Sequence, residues 1–258
     1  MNEKQVQEEF LTKFFHALQA GLDGLQTVRA AYDKRIAFSF SAMNFFDPDE
    51  NKISEILAFF LNPTKFHGQK EVFLKVFLEA FCLTDALGLL ATQMPIVERE
   101  TRIDGDRRID ITIRFKSEYL IGIENKIGAA DQPMQLFDYH KWLEKESNDR
   151  YTLFYLTRDG RNASSGSIDE KVAAKLTTSG KLQCVSYANH IIRLFEDFEK
   201  VCAADNVRAF IRDFTQYLKQ RYIGVETAIE LGTRVGGESG TTSFQRIAPL
   251  GAGSNTFS

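Results

Sequence analysis

The sequence lacks the features that define several common protein classes. Three cysteines in 258 residues lie far apart, at Cys82, Cys184 and Cys202. An odd, widely spaced set supplies neither a disulfide framework nor a zinc site, and it fits a reducing cytosol. No apolar run approaches the length of a membrane span, and the polar N-terminus does not resemble a secretory signal. We therefore expect a cytoplasmic protein with no membrane segment.

A strong excess of basic charge is also missing. The chain carries 32 Lys and Arg against 35 Asp and Glu, a net charge of −3. Because nucleic-acid-binding domains often carry a basic excess, any nucleic-acid site here must be a local basic patch. There is no phosphate-binding Gly-Lys-Ser/Thr loop and no serine nucleophile elbow. We therefore expect no ATPase and no serine hydrolase in this chain.

Helical patterns fill the first third of the chain. Residues 1 to about 40 are predicted to be helical, with a break near Gly21–Gly24. The next helix has a capping-box start, with Asp47 as the cap, Pro48 at the first position and Glu50 at the third. A further helix is predicted over 72–87. These segments precede a region in which the apolar residues alternate with period two.

Two neighbouring segments alternate as strands, Arg107–Phe115 and Tyr119–Ile127. Ile109, Ile111, Ile113 and Phe115 are predicted to share one face. We expect a single domain over residues 1–230, with a helical N-terminal extension over 1–45 and a core over about 50–222. The Gly-, Ser- and Thr-rich residues 231–258 are predicted to be poorly ordered or to form an accessory hairpin.

The two strands can form a hairpin closed by residues 116–118. A register centred on Ser117 makes three apolar pairs on one face: Phe115 with Tyr119, Ile113 with Ile121, and Ile111 with Ile123. The same register places Asp110 opposite Glu124 on the other face. Lys126 follows on the face of Glu124, because side chains alternate with period two.

Two carboxylates opposite each other destabilise a sheet, so the pair calls for an explanation. A divalent cation such as Mg²⁺ would provide one, since it binds carboxylates together with water and phosphate oxygens. Lys126 could then orient the water or stabilise developing negative charge on a phosphodiester. Asn125 is predicted to point to the apolar face, which leaves its backbone carbonyl as a further metal ligand. The alternative is a solvated face, in which the carboxylates pair with neighbouring basic side chains at little energetic effect.

These residues resemble the PD-(D/E)XK nuclease superfamily. Its pattern is an Asp on one strand, Glu-x-Lys on the next strand of a hairpin, and then a helix. Asp110, Glu124 and Lys126 match this pattern, with Ile109 in place of the usual Pro. The stretch "QLFDY" resembles the Gln-x-x-x-Tyr motif of RecB-like nucleases. Residues 50–200 resemble a bacterial subgroup of the superfamily.

The resemblance implies an α/β (α+β) fold, with a restriction-endonuclease-like core of a mixed central sheet flanked by helices. It implies Mg²⁺, replaceable by Mn²⁺, bound by Asp110 and Glu124. It also implies an upstream helical Glu near the metal. Glu55 is the matching position, and Glu98 and Glu100 are the alternatives.

Other residues near the proposed site are candidates for further roles. Gln135 is expected to contact the metal shell or the DNA backbone, whereas Tyr139 is either functional or part of the core. Arg107 and Arg108 adjoin the site and are candidates for phosphate contacts. His67 is interpreted as structural, since a lone histidine more often is.

The implied activity is Mg²⁺-dependent hydrolysis of DNA, in defence against foreign or phage DNA or in repair. Cutting both strands often requires two active sites, which suits a homodimer or partner subunits of a defence system. The alternative is a catalytically inactive nuclease-fold module that binds nucleic acid or protein.

Overall fold

The computed structural model describes residues 3–37 and 40–223, so the predicted C-terminal tail over 231–258 lies outside the described residues. The first element is one long helix, α1 (Glu3–Ile36). It runs without interruption through Gly21 and Gly24, and the predicted break there is wrong. A glycine in a helix interior costs about 1 kcal/mol relative to alanine, which a helix of this length tolerates. No helix in the described part of the chain is both long and apolar enough to cross a membrane.

Helical segments continue up to the sheet. A 3-10 turn (Ala42–Phe45) is followed by three helices: α2 (Glu50–Leu61), α3 (Val72–Ala80) and α4 (Thr84–Leu90). The cap of α2 is Asp49, whose Oδ1 accepts a hydrogen bond from Lys52 N at 2.8 Å. The predicted cap, Asp47, is therefore wrong. The helix predicted over 72–87 divides into α3 and α4, with Cys82 between them at a φ of 55°.

A mixed sheet forms the centre of the fold. Its strands, in their order across the sheet, are β1 (Ile96–Arg102), β2 (Arg108–Phe115), β3 (Tyr119–Lys126), β4 (Tyr151–Thr157) and β5 (Leu182–Ser186). The first three strands are antiparallel neighbours, and β3–β4 and β4–β5 are parallel pairs. The remaining helices are α5 (Gln135–Glu146), α6 (Glu170–Thr178), a π-helical turn (Tyr187–Ile191), α7 (Ile192–Val201) and α8 (Asp205–Tyr222). The predicted α/β class with a mixed, helix-flanked sheet is confirmed.

The register of the β2–β3 hairpin matches the prediction. Phe115 pairs with Tyr119, Ile113 with Ile121, and Ile111 with Ile123. The apolar residues that share a face on both strands select this register, because a slip of one residue would turn them all to the other face. Asp110 and Glu124 follow the last of these pairs, at the end of the ladder.

Two apolar layers cover the sheet. Ile111, Ile113 and Phe115 belong to the larger one, formed with α2, α3, α7 and α8. The smaller layer contains Leu136, Tyr139 and Leu143 of α5. Ile109 packs in this smaller layer, so the prediction that it shares a face with Ile111 is wrong. The regular alternation of β2 therefore ends at Asp110, between the two layers.

Candidate metal-dependent active site

Two acidic side chains meet where β2 and β3 leave their ladder. Oδ2 of Asp110 accepts a hydrogen bond from the backbone N of Asn125 at 2.7 Å. Glu124 is only 2% exposed. Burial, and then the negative charge of Asp110, raise the pKa of Glu124 to about 8. Burial also raises the pKa of Asp110. Glu124 is buried and Asp110 is half-buried, and a bound cation would stabilise the charged forms of both carboxyl groups.

Lys126 lies beside the carboxylates on the same face of β3. Its Nζ is 3.3 Å from Oε1 of Glu124, and the residue is 9% exposed. This ammonium lowers the pKa of Glu124, but burial and Asp110 together outweigh its effect. One neighbouring amine therefore does not offset the burial of Glu124 and its proximity to Asp110.

Helix α5 holds the Glu124 carboxylate in place. Gln135 Nε2 donates to Glu124 Oε1 at 2.7 Å and also lies 3.0 Å from the hydroxyl oxygen of Tyr139. The Tyr139 hydroxyl in turn donates to the backbone carbonyl of Arg108, two residues before Asp110. This chain of hydrogen bonds connects both acidic strands to one helix. Gln135 and Tyr139 lie one helical turn apart, which puts both side chains on the face of α5 that meets the site.

Asn125 points to the opposite face of β3, toward α2. Its Nδ2 donates to Ser54 Oγ at 2.9 Å and to the carbonyl of Glu50 at 3.2 Å. Its Oδ1 accepts from the Tyr187 hydroxyl at 3.1 Å. The hydrogen bonds to Ser54 and Glu50 connect the first turns of α2 to the strand that carries Glu124 and Lys126.

Glu50, the first residue of α2, is the acidic residue that the sequence analysis missed. Its Oε2 accepts hydrogen bonds from the backbone N of Ile127 at 2.7 Å and of Gly128 at 3.2 Å. Its charge raises the pKa values of both Asp110 and Glu124. In the sequence, Glu50 fits a capping box, and its contact with Ile127 leaves no local signal because the two residues are 77 positions apart.

The three acidic residues named as candidates for this position lie elsewhere. Glu55 is exposed and pairs with Lys52 at 2.6 Å, a hydrogen bond that lowers its pKa. Glu98 is exposed on β1, and Glu100 lies 3.5 Å from Arg108. Of the four glutamates, Glu50 is the one whose backbone contacts join it to the end of β3.

The donor atoms of the site suit a hard divalent cation. Oε2 of Glu124 is buried and has no hydrogen-bond partner within the described ranges. Leaving a buried carboxylate oxygen unsatisfied is costly, so it points to an absent ligand. Over residues 3–37 and 40–223, no group of three or more Asp, Glu, His or Cys is arranged to hold a metal. Mg²⁺ is commonly bound by one or two protein carboxylates, with water and substrate oxygens at its other coordination positions, and the two carboxylates here fit that preference.

A family model describes most of this chain. The model of the PD-(D/E)XK nuclease superfamily matches residues 39–216, which include both acidic strands, α2 and α5. The chain belongs to the PD-(D/E)XK nuclease superfamily. Searches of curated proteins and of solved structures returned no match. Membership of the superfamily indicates nuclease activity and nucleic-acid binding, and α1 precedes the matched region.

Arg107 and Arg108, which shortly precede Asp110 in the sequence, both contact other residues of this chain. Arg107 donates to the carbonyl of Pro133 and pairs with Asp138 at 2.8 Å. Arg108 lies 3.5 Å from Glu100 in an exposed ion pair, which is weak and easily exchanged for a phosphate contact.

His67 is a buried residue of the helical layer. Its Nε2 lies 2.9 Å from the carbonyl of Asn62, and its Nδ1 accepts from Gln69 N at 3.1 Å. The rings of Phe60 and Phe73 pack against it. These contacts use both ring nitrogens within the fold and support the structural interpretation.

Proposed function

We propose that this chain hydrolyses phosphodiester bonds of DNA in a reaction that depends on Mg²⁺, with Mn²⁺ able to replace it. The observation that carries the proposal is the buried Oε2 of Glu124, beside Asp110 and Lys126, which has no hydrogen-bond partner among the described residues. A purely structural ion pair would leave neither an unsatisfied carboxylate oxygen nor a carboxyl pKa raised to about 8. Defence against foreign DNA, or DNA repair, are the biological roles that suit such an enzyme.

Asp110 and Glu124 would hold the metal, and the backbone carbonyl of Asn125 is a candidate third ligand. When bound, a divalent cation makes water more acidic and neutralises negative charge on the phosphodiester. The carboxylates suit this role because oxygen donors favour Mg²⁺ and Mn²⁺ over softer metals. Glu50 takes the upstream acidic position in place of Glu55, since its charge acts on both carboxylates.

The other side chains position the reacting groups. Lys126 can donate hydrogen bonds to the attacking water or to a phosphoryl oxygen, where negative charge develops as the phosphorus–oxygen bond breaks. Gln135 donates a hydrogen bond to Glu124 Oε1, which would orient the carboxylate and leave Oε2 for a ligand. The leaving oxygen of the substrate takes its proton from solvent.

The test is cleavage of supercoiled, linear and single-stranded DNA with Mg²⁺, Mn²⁺ or a chelator. Asp110→Asn and Lys126→Met should abolish metal-dependent cleavage, while Glu98→Gln, an exposed carboxylate on β1, should leave it unchanged. A thermal shift with Mg²⁺ should appear in the wild type and disappear in Asp110→Asn.

Two outcomes would contradict the proposal. One is a folded wild type that leaves every DNA substrate intact, which would favour the inactive binding module. The other is cleavage that survives unchanged in Asp110→Asn. RNA substrates included in the same series would show whether DNA is the preferred nucleic acid.

A further inference from the structure

Helix α1 exposes a continuous apolar surface. Every residue from 7 to 21 is exposed, including the aromatic ones. We define the α1 stripe as the large apolar side chains of this helix that are at least 45% exposed: Phe10, Leu11, Phe14, Phe15, Leu18, Leu25 and Val28. Single exposed apolar residues are ordinary, but seven on one helix form a surface that monomers rarely leave in water.

Five of the seven residues of the stripe follow a seven-residue repeat. Leu11, Leu18 and Leu25 are spaced by seven, and so are Phe14, Gly21 and Val28, three positions further on. These are the a and d positions of a heptad pattern, whose side chains form the seam between two packed helices. The pattern extends over three heptads, and a helix of 34 residues spans about 50 Å. The spacing therefore fits a second helix lying along α1.

The two glycines of α1 favour a close partner. A β-carbon added at Gly21 or Gly24 would meet nothing within 4 Å among the described residues, so their packing does not require glycine at either position. Glycine destabilises a helix interior by about 1 kcal/mol relative to alanine. Close approach of a second helix explains the glycines at these two positions, since a side chain there would keep the backbones of the two helices apart.

Charge is distributed unevenly along the helix. Residues 3–13 contain three glutamates and two lysines, a net charge of −1, whereas residues 27–36 contain three basic residues and one aspartate, a net charge of +2. Two copies of this helix packed antiparallel bring the acidic end of each beside the basic end of the other. A parallel pair would bring like charges together at both ends, which is unfavourable.

We propose that α1 is a homodimerisation helix that packs antiparallel against α1 of a second copy of this chain. A pair centred between Leu18 and Gly21 places Leu11 beside Val28 of the partner subunit and Leu25 beside Phe14 of the partner subunit. The three phenylalanines alone expose on the order of 300 Å². With the aliphatic residues, the stripe approaches the ~800 Å² per partner of a standard interface. Isolated helices are marginal in water, so this packing also stabilises α1 itself.

Sedimentation of the full chain tests the proposal without any reference to nuclease activity. The wild type should be a dimer. Leu18→Glu/Leu25→Glu places charges in the apolar seam and should weaken dimerisation at least about 100-fold. The matched control is Ala20→Glu/Thr27→Glu, which has the same spacing and charge on exposed positions outside the seam. A monomeric wild type, or a dimer that survives in the seam variant, would overturn the proposal.

Cross-linking tests the orientation and does not depend on the seam variant remaining folded. In a Cys82→Ser background, which removes the exposed native thiol, single variants Leu11→Cys and Val28→Cys are mixed and mildly oxidised. The antiparallel arrangement predicts a disulfide between the two different variants and little between identical ones. Efficient cross-linking of Leu11→Cys with itself would show a parallel pair and refute the arrangement. Absence of any cross-link in a dimeric sample would refute the role of α1.

Discussion

The side-chain amide of Gln135 lies 2.7 Å from Oε1 of Glu124, while Oε2 of the same carboxylate has no partner in the part of the chain that the structure describes. One oxygen is thus fixed by the protein while the other is available to a ligand. Outer contacts of this kind determine the orientation of a metal-binding carboxylate. The relationship between these two residues therefore links helix α5 to the chemistry of the site.

Gln135→Leu should lower nuclease activity about 10–100-fold and raise the Mg²⁺ concentration needed for half-maximal rate. The reason is that Glu124 loses the donor that orients it. The unfolding free energy should fall by about 1–2 kcal/mol, as measured by urea denaturation. Gln132→Leu, which alters an exposed side chain three residues earlier, is the control. An unchanged Mg²⁺ dependence in Gln135→Leu would show that the contact has no functional role.

Tyr139→Phe should affect activity, whereas Tyr151→Phe should not. Each substitution removes one buried hydroxyl, with two hydrogen bonds at Tyr139 and one at Tyr151, so each should cost about 1–2 kcal/mol of stability. The Tyr139 hydroxyl bridges Gln135 and the carbonyl of Arg108. The Tyr151 hydroxyl contacts Nδ1 of His140 at 2.6 Å. The expected result is a severalfold loss of cleavage rate for Tyr139→Phe alone. Equal rates in the two variants would assign Tyr139 to the core.

Glu50→Gln and Glu55→Gln distinguish the two candidates for the upstream acid. Glutamine at 50 keeps an oxygen for the amides of Ile127 and Gly128 but removes the charge that acts on the carboxylate pair. Cleavage should therefore fall about 10-fold, while metal-free thermal stability should stay level or rise. Glu55→Gln breaks only an exposed ion pair and should change stability by less than about 1 kcal/mol, with normal activity. Normal cleavage by Glu50→Gln together with reduced cleavage by Glu55→Gln would instead identify Glu55 as the upstream acid.

His67 should make the fold sensitive to acid. Burial lowers the pKa of His67 below its ordinary value of 6.5, so the unfolded chain binds a proton more readily than the folded one. This residue's contribution to stability is therefore complete above pH 6.5 and is lost as pH falls through its folded pKa.

The measurement is the unfolding free energy between pH 7 and pH 5. His67→Gln should have a flatter pH dependence than the wild type and near-normal nuclease activity at pH 7. His16→Gln, at an exposed position of α1, should retain the wild-type slope. A wild-type slope in His67→Gln, or loss of its activity without loss of stability, would contradict the structural role.

Local patterns were sufficient for the hairpin. The apolar residues of β2 and β3 alternate, and a three-residue connection leaves one register that puts the isoleucines on one face. That register brings Asp110, Glu124 and Lys126 together, because period-two geometry relates them directly. The Gln135 and Tyr139 pair could likewise be read from helical spacing. In contrast, the strict alternation predicted for Ile109 was wrong, since β2 passes between two layers at Asp110.

The sequence by itself determined the strands, their register and the face on which the two carboxylates and the lysine lie, because these follow from interactions between near neighbours. Only the tertiary structure decided that Glu50 reaches the end of β3, that Asn125 connects α2 to the sheet, and that Glu124 Oε2 has no partner among the described residues. The physical reason is distance along the chain. The hydrogen bonds between α2 and the end of β3 that Glu50 and Asn125 make span 71 to 78 residues, and their geometry is set by the packing of α2 on the sheet rather than by any local pattern.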